Sequence, residues 1–157
     1  MLPDYEIVLG QGIGTILFGI TKEELIEILG EPDEIDMPDN SKGYHWESYQ
    51  YNAIKCSFSF DQDREGRLVE ISVENGYFRI AKHIRVGLKK EDLLNSSLAQ
   101  KFGKYIIEDM RSEELPTHEV ISIAQVGLNL WLDDGKISTI QILKNKLVQN
   151  NVNDQPH

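Results

Sequence analysis

The chain has 157 residues, 40% of them hydrophobic and 27% charged, with a formal net charge of −10 and a single cysteine, Cys56. That composition supports a packed core and excludes wholesale disorder and any intrachain disulfide, and no apolar run reaches the ~20 residues needed to span a bilayer. Residues 1–77 hold 5 Lys/Arg against 16 Asp/Glu, whereas residues 78–157 hold 11 against 10, so nearly all the excess negative charge lies on the first half, a field that disfavours nucleic acid and speeds encounter with a basic partner.

The N-terminus Met1-Leu2-Pro3-Asp4-Tyr5-Glu6 lacks the basic and apolar segments of a secretory signal, which, with the lone cysteine, leads to the expectation of a cytoplasmic protein without membrane partners. Gly10-Gln11-Gly12-Ile13-Gly14 has neither P-loop nor dinucleotide-fold spacing and reads as a flexible turn before the first helix. Thr21-Lys22-Glu23-Glu24 is a capping box, Leu25, Ile28 and Leu29 share the following helical face, and Gly30 and Pro32 end it. Acidic residues then gather at Glu31, Asp33, Glu34, Asp36 and Asp39, with the prolines Pro32 and Pro38 between them. The spacing is not that of an EF-hand, so the segment reads as a solvated loop and edge strand, or as an acidic lip for Lys and Arg of a partner.

Two strands follow from alternation: Ile54, Cys56, Phe58 and Phe60 on one face against Lys55, Ser57 and Ser59, then Val69, Ile71 and Val73. Asp61 to Gly66 joins them, and Asn75-Gly76 is a further turn signal. Leu94, Leu98 and Phe102 lie at i, i+4 and i+8, predicting one second helix closed by Gly103, with Lys89 a poor N-cap. Leu128, Leu130 and Leu132 form the next apolar set, the Asp133-Asp134-Gly135-Lys136 turn follows, and Ser138, Ile140 and Ile142 continue the pattern. The polar run from Asn145 to His157 reads as a frayed tail.

The chain is also self-similar. Phe18–Ile26 aligns with Val86–Leu94, Gly30 with Gly103, Phe58–Asp61 with Leu130–Asp133, and Gly66–Val73 with Gly135–Ile142. The expected organisation is therefore a first unit at 1–77, a second at 78–147 and a polar, disordered tail at 148–157. The expected fold class is α+β: two tandem repeats, each a helical segment packed on an antiparallel sheet of about four strands.

The run Phe18-Gly19-Ile20-Thr21-Lys22-Glu23-Glu24-Leu25, followed by Leu29-Gly30-Glu31-Pro32, resembles the signature of β-lactamase-inhibitor-protein-like repeats. A similar unit occurs in small outer-membrane assembly lipoproteins of the SmpA/OmlA type. The second copy keeps Gly87-Leu88 and Phe102-Gly103 but lacks the threonine and the proline. The resemblance implies a concave sheet surface that grips a target protein. The chain departs from those relatives in lacking a lipidation cysteine near the N-terminus and a cysteine pair. Its acidity and size are similar to those of bacterial immunity proteins, whose partners are toxins.

No catalytic constellation stands out. Cys56 falls on the apolar face of a strand, where a thiol is protonated and inert. His45, His83, His118 and His157 form no i, i+3 or i, i+4 pair, so neither a metal nor a cofactor is expected. His118 reads as an exposed strand residue. The leucines of Leu128–Leu132 take one face, which sends Trp131 and Asn129 to the other, and Trp46, Tyr49 and Tyr51 offer a second aromatic set of open facing. The expected function is that of a non-enzymatic inhibitor or immunity-type protein. It would occlude a protein partner, of which a basic toxin domain is the type, through the sheet face carrying these residues. A self-associating scaffold, monomer against homodimer, is the alternative, and a small-ligand binder or enzyme the third.

Overall fold

The computed structural model describes residues 4–38, 43 and 45–144. A short ribbon comes first: β1 (Glu6–Val8), β2 (Gly12–Ile13) and β3 (Ile16–Leu17). It leads into α1 (Lys22–Leu29), then β4 (Glu34–Asp36), β5 (Trp46–Tyr51), β6 (Cys56–Asp61) and β7 (Arg67–Val73). The short β8 (Arg79–Ile80) precedes α2 (Lys90–Leu94) and α3 (Leu98–Phe102), and the chain finishes with β9 (Ile106–Asp109), β10 (Glu119–Ile123), β11 (Leu128–Asp133) and β12 (Lys136–Leu143).

The expectation of two helix-on-sheet repeats, each with its own sheet, is overturned. The molecule is dominated by one continuous eight-stranded sheet in the order β4-β5-β6-β7-β12-β11-β10-β9. Every neighbouring pair is antiparallel, including the central β7–β12 seam, where Val73, Ser72, Ile71 and Glu70 stand opposite Ile140, Gln141, Ile142 and Leu143. The three α-helices among the described residues are short, of 8, 5 and 5 residues. A second, four-stranded sheet in the order β3-β2-β1-β8 was not expected at all. The physical reason is hydrogen bonding at the strand edges. Two four-stranded units would each leave an apolar edge strand unpaired, whereas β7 and β12 satisfy each other's backbone by joining.

One face of the large sheet is apolar and covered. Phe58, Phe60, Leu68, Ile71, Val73, Ile121, Ile123, Leu128, Leu130, Leu132, Ile137, Ile140 and Ile142 are all buried in one core, together with Leu25 of α1, Leu93 of α2 and Leu98 of α3. The small sheet closes the same core through Ile7, Ile13, Ile16 and Ile80. Each helical segment is pinned to the strands below it. Lys22 Nζ meets Glu47 of β5 at 3.1 Å, and Lys90 Nζ meets Glu119 of β10 at 3.0 Å.

Local rules explain α1 well. Thr21 Oγ1 accepts from the Glu24 amide while Glu24 receives the Thr21 amide, the predicted capping box. The single second helix is corrected to two, because Ser97 takes a left-handed conformation (φ 62°) between α2 and α3. The Gly10–Gly14 turn is also corrected: Gly12 and Ile13 are paired strand residues, with Ile7 opposite Ile13 and Val8 opposite Gly12. Between β6 and β7 the register shifts at Ser59/Phe60, so Leu68 rather than Val69 of β7 enters the core. A matching shift at Trp131/Leu132 brings Ile137 into the core and leaves Ser138 half-buried. Asp39 and residues 145–157, the expected tail among them, lie outside the described residues. Among the described residues no helix is long and apolar enough to cross a membrane.

Candidate functional site on the open sheet face

The helices cover one face of the eight-stranded sheet, and among the described residues no element covers the other. Strict alternation decides what that face carries. In β5 it is Trp46, Ser48 and Gln50, since Tyr49 and Tyr51 are buried on the opposite side. In β6 it is Ser57, Ser59 and Asp61, and beyond the seam it is Gln141, Asn129, Trp131 and Ser122. Across this face runs a trough of ≈ 860 Å³ whose walls come from both halves of the sheet, from Asp36 of β4 to Ser122 of β10.

Its floor is a fixed polar network. Ser59 Oγ donates to Ser48 Oγ at 3.2 Å, and Gln50 Nε2 reaches both Ser48 Oγ at 3.1 Å and Asp36 Oδ2 at 3.0 Å. On the other side of the seam Gln141 is the hub. Its Oε1 accepts from Asn129 Nδ2 at 3.0 Å and from Trp131 Nε1 at 2.9 Å, and its Nε2 donates to Glu70 Oε1 at 2.8 Å. Every hydrogen-bonding atom of that amide is thereby committed, which holds the Glu70 carboxylate in place. At the rim, Asp61 faces Arg64 at 3.6 Å and Asp63 faces His45 Nδ1 at 3.1 Å. Asp36 and Glu70 differ: among the described residues their side chains meet only neutral amides. Among the described residues neither forms an ion pair, although Arg64 and Lys144 line the same trough.

The sequence-predicted residues divide clearly. Trp46, Asn129 and Asp36 line the trough, and Trp46 is exposed. Trp131 lies on the same face but outside the trough wall, half-buried, its N–H given to Gln141 and its ring stacked on His118 at 5.2 Å and 15°. Tyr49 and Tyr51 are a correction. They pack edge-on against Phe60 and Phe58 in the core, with Tyr51 Oη donating to the Gly30 carbonyl at 2.8 Å, and so take no part in an exposed surface. Glu31, Asp33 and Glu34 are exposed outside the trough; Asp33 Oδ2 receives the Asn52 amide at 2.7 Å and serves the loop rather than a lip.

Sequence reasoning missed Glu70, Gln141 and Ser48, three polar residues in strands assigned by their apolar partners. It also misread His118, which is largely enclosed between Trp131 and Asp133, with Nδ1 2.9 Å from Asp133 Oδ1. Among the described residues no group of three or more His, Cys, Asp or Glu is placed to hold a metal ion.

No family model matches the chain, and no curated protein does. Among solved structures it is similar to an extracellular protein from Bacillus anthracis that contains an SCP domain, with a TM-score of 0.51 at 15% identity. The likeness covers 83% of this chain and 45% of that one, so the chain spans less than half the length of its neighbour. At that identity the comparison speaks to the shared fold alone.

Proposed function

We propose that this chain is a protein-binding module that grips a polypeptide partner on the open face of its eight-stranded sheet and acts by occlusion rather than by chemistry. The carrying observation is the trough. A sheet face exposed to water normally carries a flat array of polar side chains, but here it encloses ≈ 860 Å³ between walls from both halves. The trough sets serines, amides and carboxylates among apolar groups such as Val69, Ala124 and Leu143, and is flanked by exposed Trp46 on β5 and exposed Ile106 on the β9 edge. Mixed apolar and fixed polar groups beside an exposed tryptophan suit another protein's surface, where aromatic anchors and hydrogen bonds occur together. The acidic first half favours a basic partner, and an inhibitor or immunity-type role is the specific form of this reading.

The test is recovery of a partner from source cells with the tagged chain, followed by affinity measurement with both proteins purified. Ser59→Tyr fills the middle of the trough and is expected to weaken binding at least about tenfold, with amide exchange slowed in β5, β6, β7 and β11 of the wild-type complex. Unchanged affinity in Ser59→Tyr, or protection confined to the helical side, would remove the open face as the binding surface. Recovery of a second copy of the chain alone would favour the self-associating scaffold.

A further inference from the structure

The strand registers place four trough residues in one straight row across the sheet. Asp36 stands opposite Ser48, Ser48 opposite Ser59, and Ser59 opposite Glu70. The row reads carboxylate, hydroxyl, hydroxyl, carboxylate, and all four residues line the trough. Three strand spacings of about 4.8 Å put the backbone positions of Asp36 and Glu70 about 14 Å apart along the row. Neither meets a cation among the described residues, while the two other trough acids, Asp61 and Asp63, face Arg64 and His45.

The hydroxyls between them hold a second signal. Ser48 is only 7% exposed, and Ser48 and Ser59 share one hydrogen bond. Two hydroxyls own two protons, and one bond uses one. The other has no acceptor among the described residues, although Ser48 already accepts from Gln50. A row with a fixed negative charge at each end and an unspent O–H donor between them fits a ligand with two positive charges and a carbonyl oxygen between them.

We propose that this row recognises an extended polypeptide segment carrying two basic side chains four residues apart, one on Asp36 and one on Glu70, with an intervening backbone carbonyl on the Ser48–Ser59 pair. Four residues of extended chain cover about 13 Å, which matches the span of the row from Asp36 to Glu70, the side chains taking up the remainder. The segment therefore crosses the strands rather than adding to a sheet edge. A linear polyamine has the charges but no carbonyl, and leaves the serine donor unused. The inference deepens the binding reading above and rests on it.

The test uses two capped pentapeptides of identical composition, titrated against the full chain by calorimetry and by tryptophan fluorescence. One has lysine at both ends with glycine, serine and glycine between; the other has its two lysines adjacent at one end. The spaced peptide is expected to bind about tenfold more tightly than its isomer, and Glu70→Gln and Asp36→Asn are each expected to weaken it about tenfold. Both variants keep the side-chain shape and an acceptor for the neighbouring amide, and circular dichroism confirms the fold. Equal affinity for the two isomers, no binding of either, unchanged affinity in both variants, or spermidine binding as tightly as the spaced peptide would each overturn the proposal. The two readings fail separately. A partner protein lost on Ser59→Tyr but retained by both charge variants leaves the face and removes the row; one retained by Ser59→Tyr removes the face.

Discussion

Tyr51 and Cys56 stand opposite each other across β5 and β6, at the end of the sheet where α1 closes over the core. Burial, with Tyr49 and acidic neighbours adding to it, pushes the Tyr51 hydroxyl from 10.0 up to about 12. Burial, then Glu74, pushes the Cys56 thiol from 9.0 to about 12. Both groups keep their proton in the folded protein at a pH where the unfolded chain has already lost it. The unfolded state therefore binds fewer protons between about pH 9 and pH 12, and stability falls as pH rises through that window. Urea unfolding at pH 8, 10 and 11 is expected to show a steady decline, and Tyr51→Phe a shallower one above pH 10. Cys56 is expected to resist a disulfide reagent at pH 8 until denaturant is added. The sequence placed Cys56 correctly because its alternation with Phe58 and Phe60 is unbroken. Tyr49 and Tyr51 were undecided for a physical reason: a tyrosine suits either face, and only the cross-strand rings of Phe60 and Phe58 decide. Glu70 and Gln141 were illegible for the converse reason, since a polar residue on a strand announces a solvated face and not a cavity.

The elements written by local rules were readable and those written by contact were not. The capping box of α1 and the Asp134-Gly135 turn, whose residues both have positive φ (52° and 74°), follow from residue chemistry within four positions. Thr21→Ala is expected to cost about 1 kcal/mol by chemical denaturation, because it removes the side-chain acceptor of the Glu24 amide. The β1–β3 ribbon was hidden because strands of two and three residues are too short to display alternation. Gly12 shows what builds it. A Cβ there would lie 2.1 Å from the Ile16 carbonyl, and φ is +142°. The close β2–β3 pairing exists only with glycine at this position. Gly12→Ala is expected to destabilise by about 2 kcal/mol or more, through overpacking and backbone strain together. Amide exchange would check it, with Ile13 and Ile16 losing protection before the large sheet does; even protection across both sheets would show that the ribbon has no separate role. The second helix divided for a similar reason. Leu94, Leu98 and Phe102 keep helical spacing, but Leu93 and Leu98 are the residues the core takes, and the chain turns at Ser97 to deliver both.

At the scale of the molecule, the sheet order reads identically from either edge, and the β7–β12 seam makes one body of the two meanders. Self-similar segments in the sequence drew attention to each half, yet nothing within either half states that its last strand pairs with the other's. That pairing is non-local, between residues about seventy positions apart. It is also what creates the trough, since Glu70 and Gln141 belong to the two sides of the seam and their 2.8 Å bond crosses it. A core continuous from Ile7 to Ile142 and a shared sheet leave neither half able to unfold without exposing the other. In a Trp46→Phe background fluorescence reports Trp131 of the second half alone, while thiol exposure reports Cys56 of the first. The two are expected to give one coincident urea transition. Ser72→Pro, which removes a ladder donor from central β7 opposite Gln141 and Ser57, is expected to cost about 3 kcal/mol or more and to shift both probes equally. Separate midpoints would mean that the halves fold independently and merely abut, and the trough would then be a joint that opens rather than a rigid binding surface.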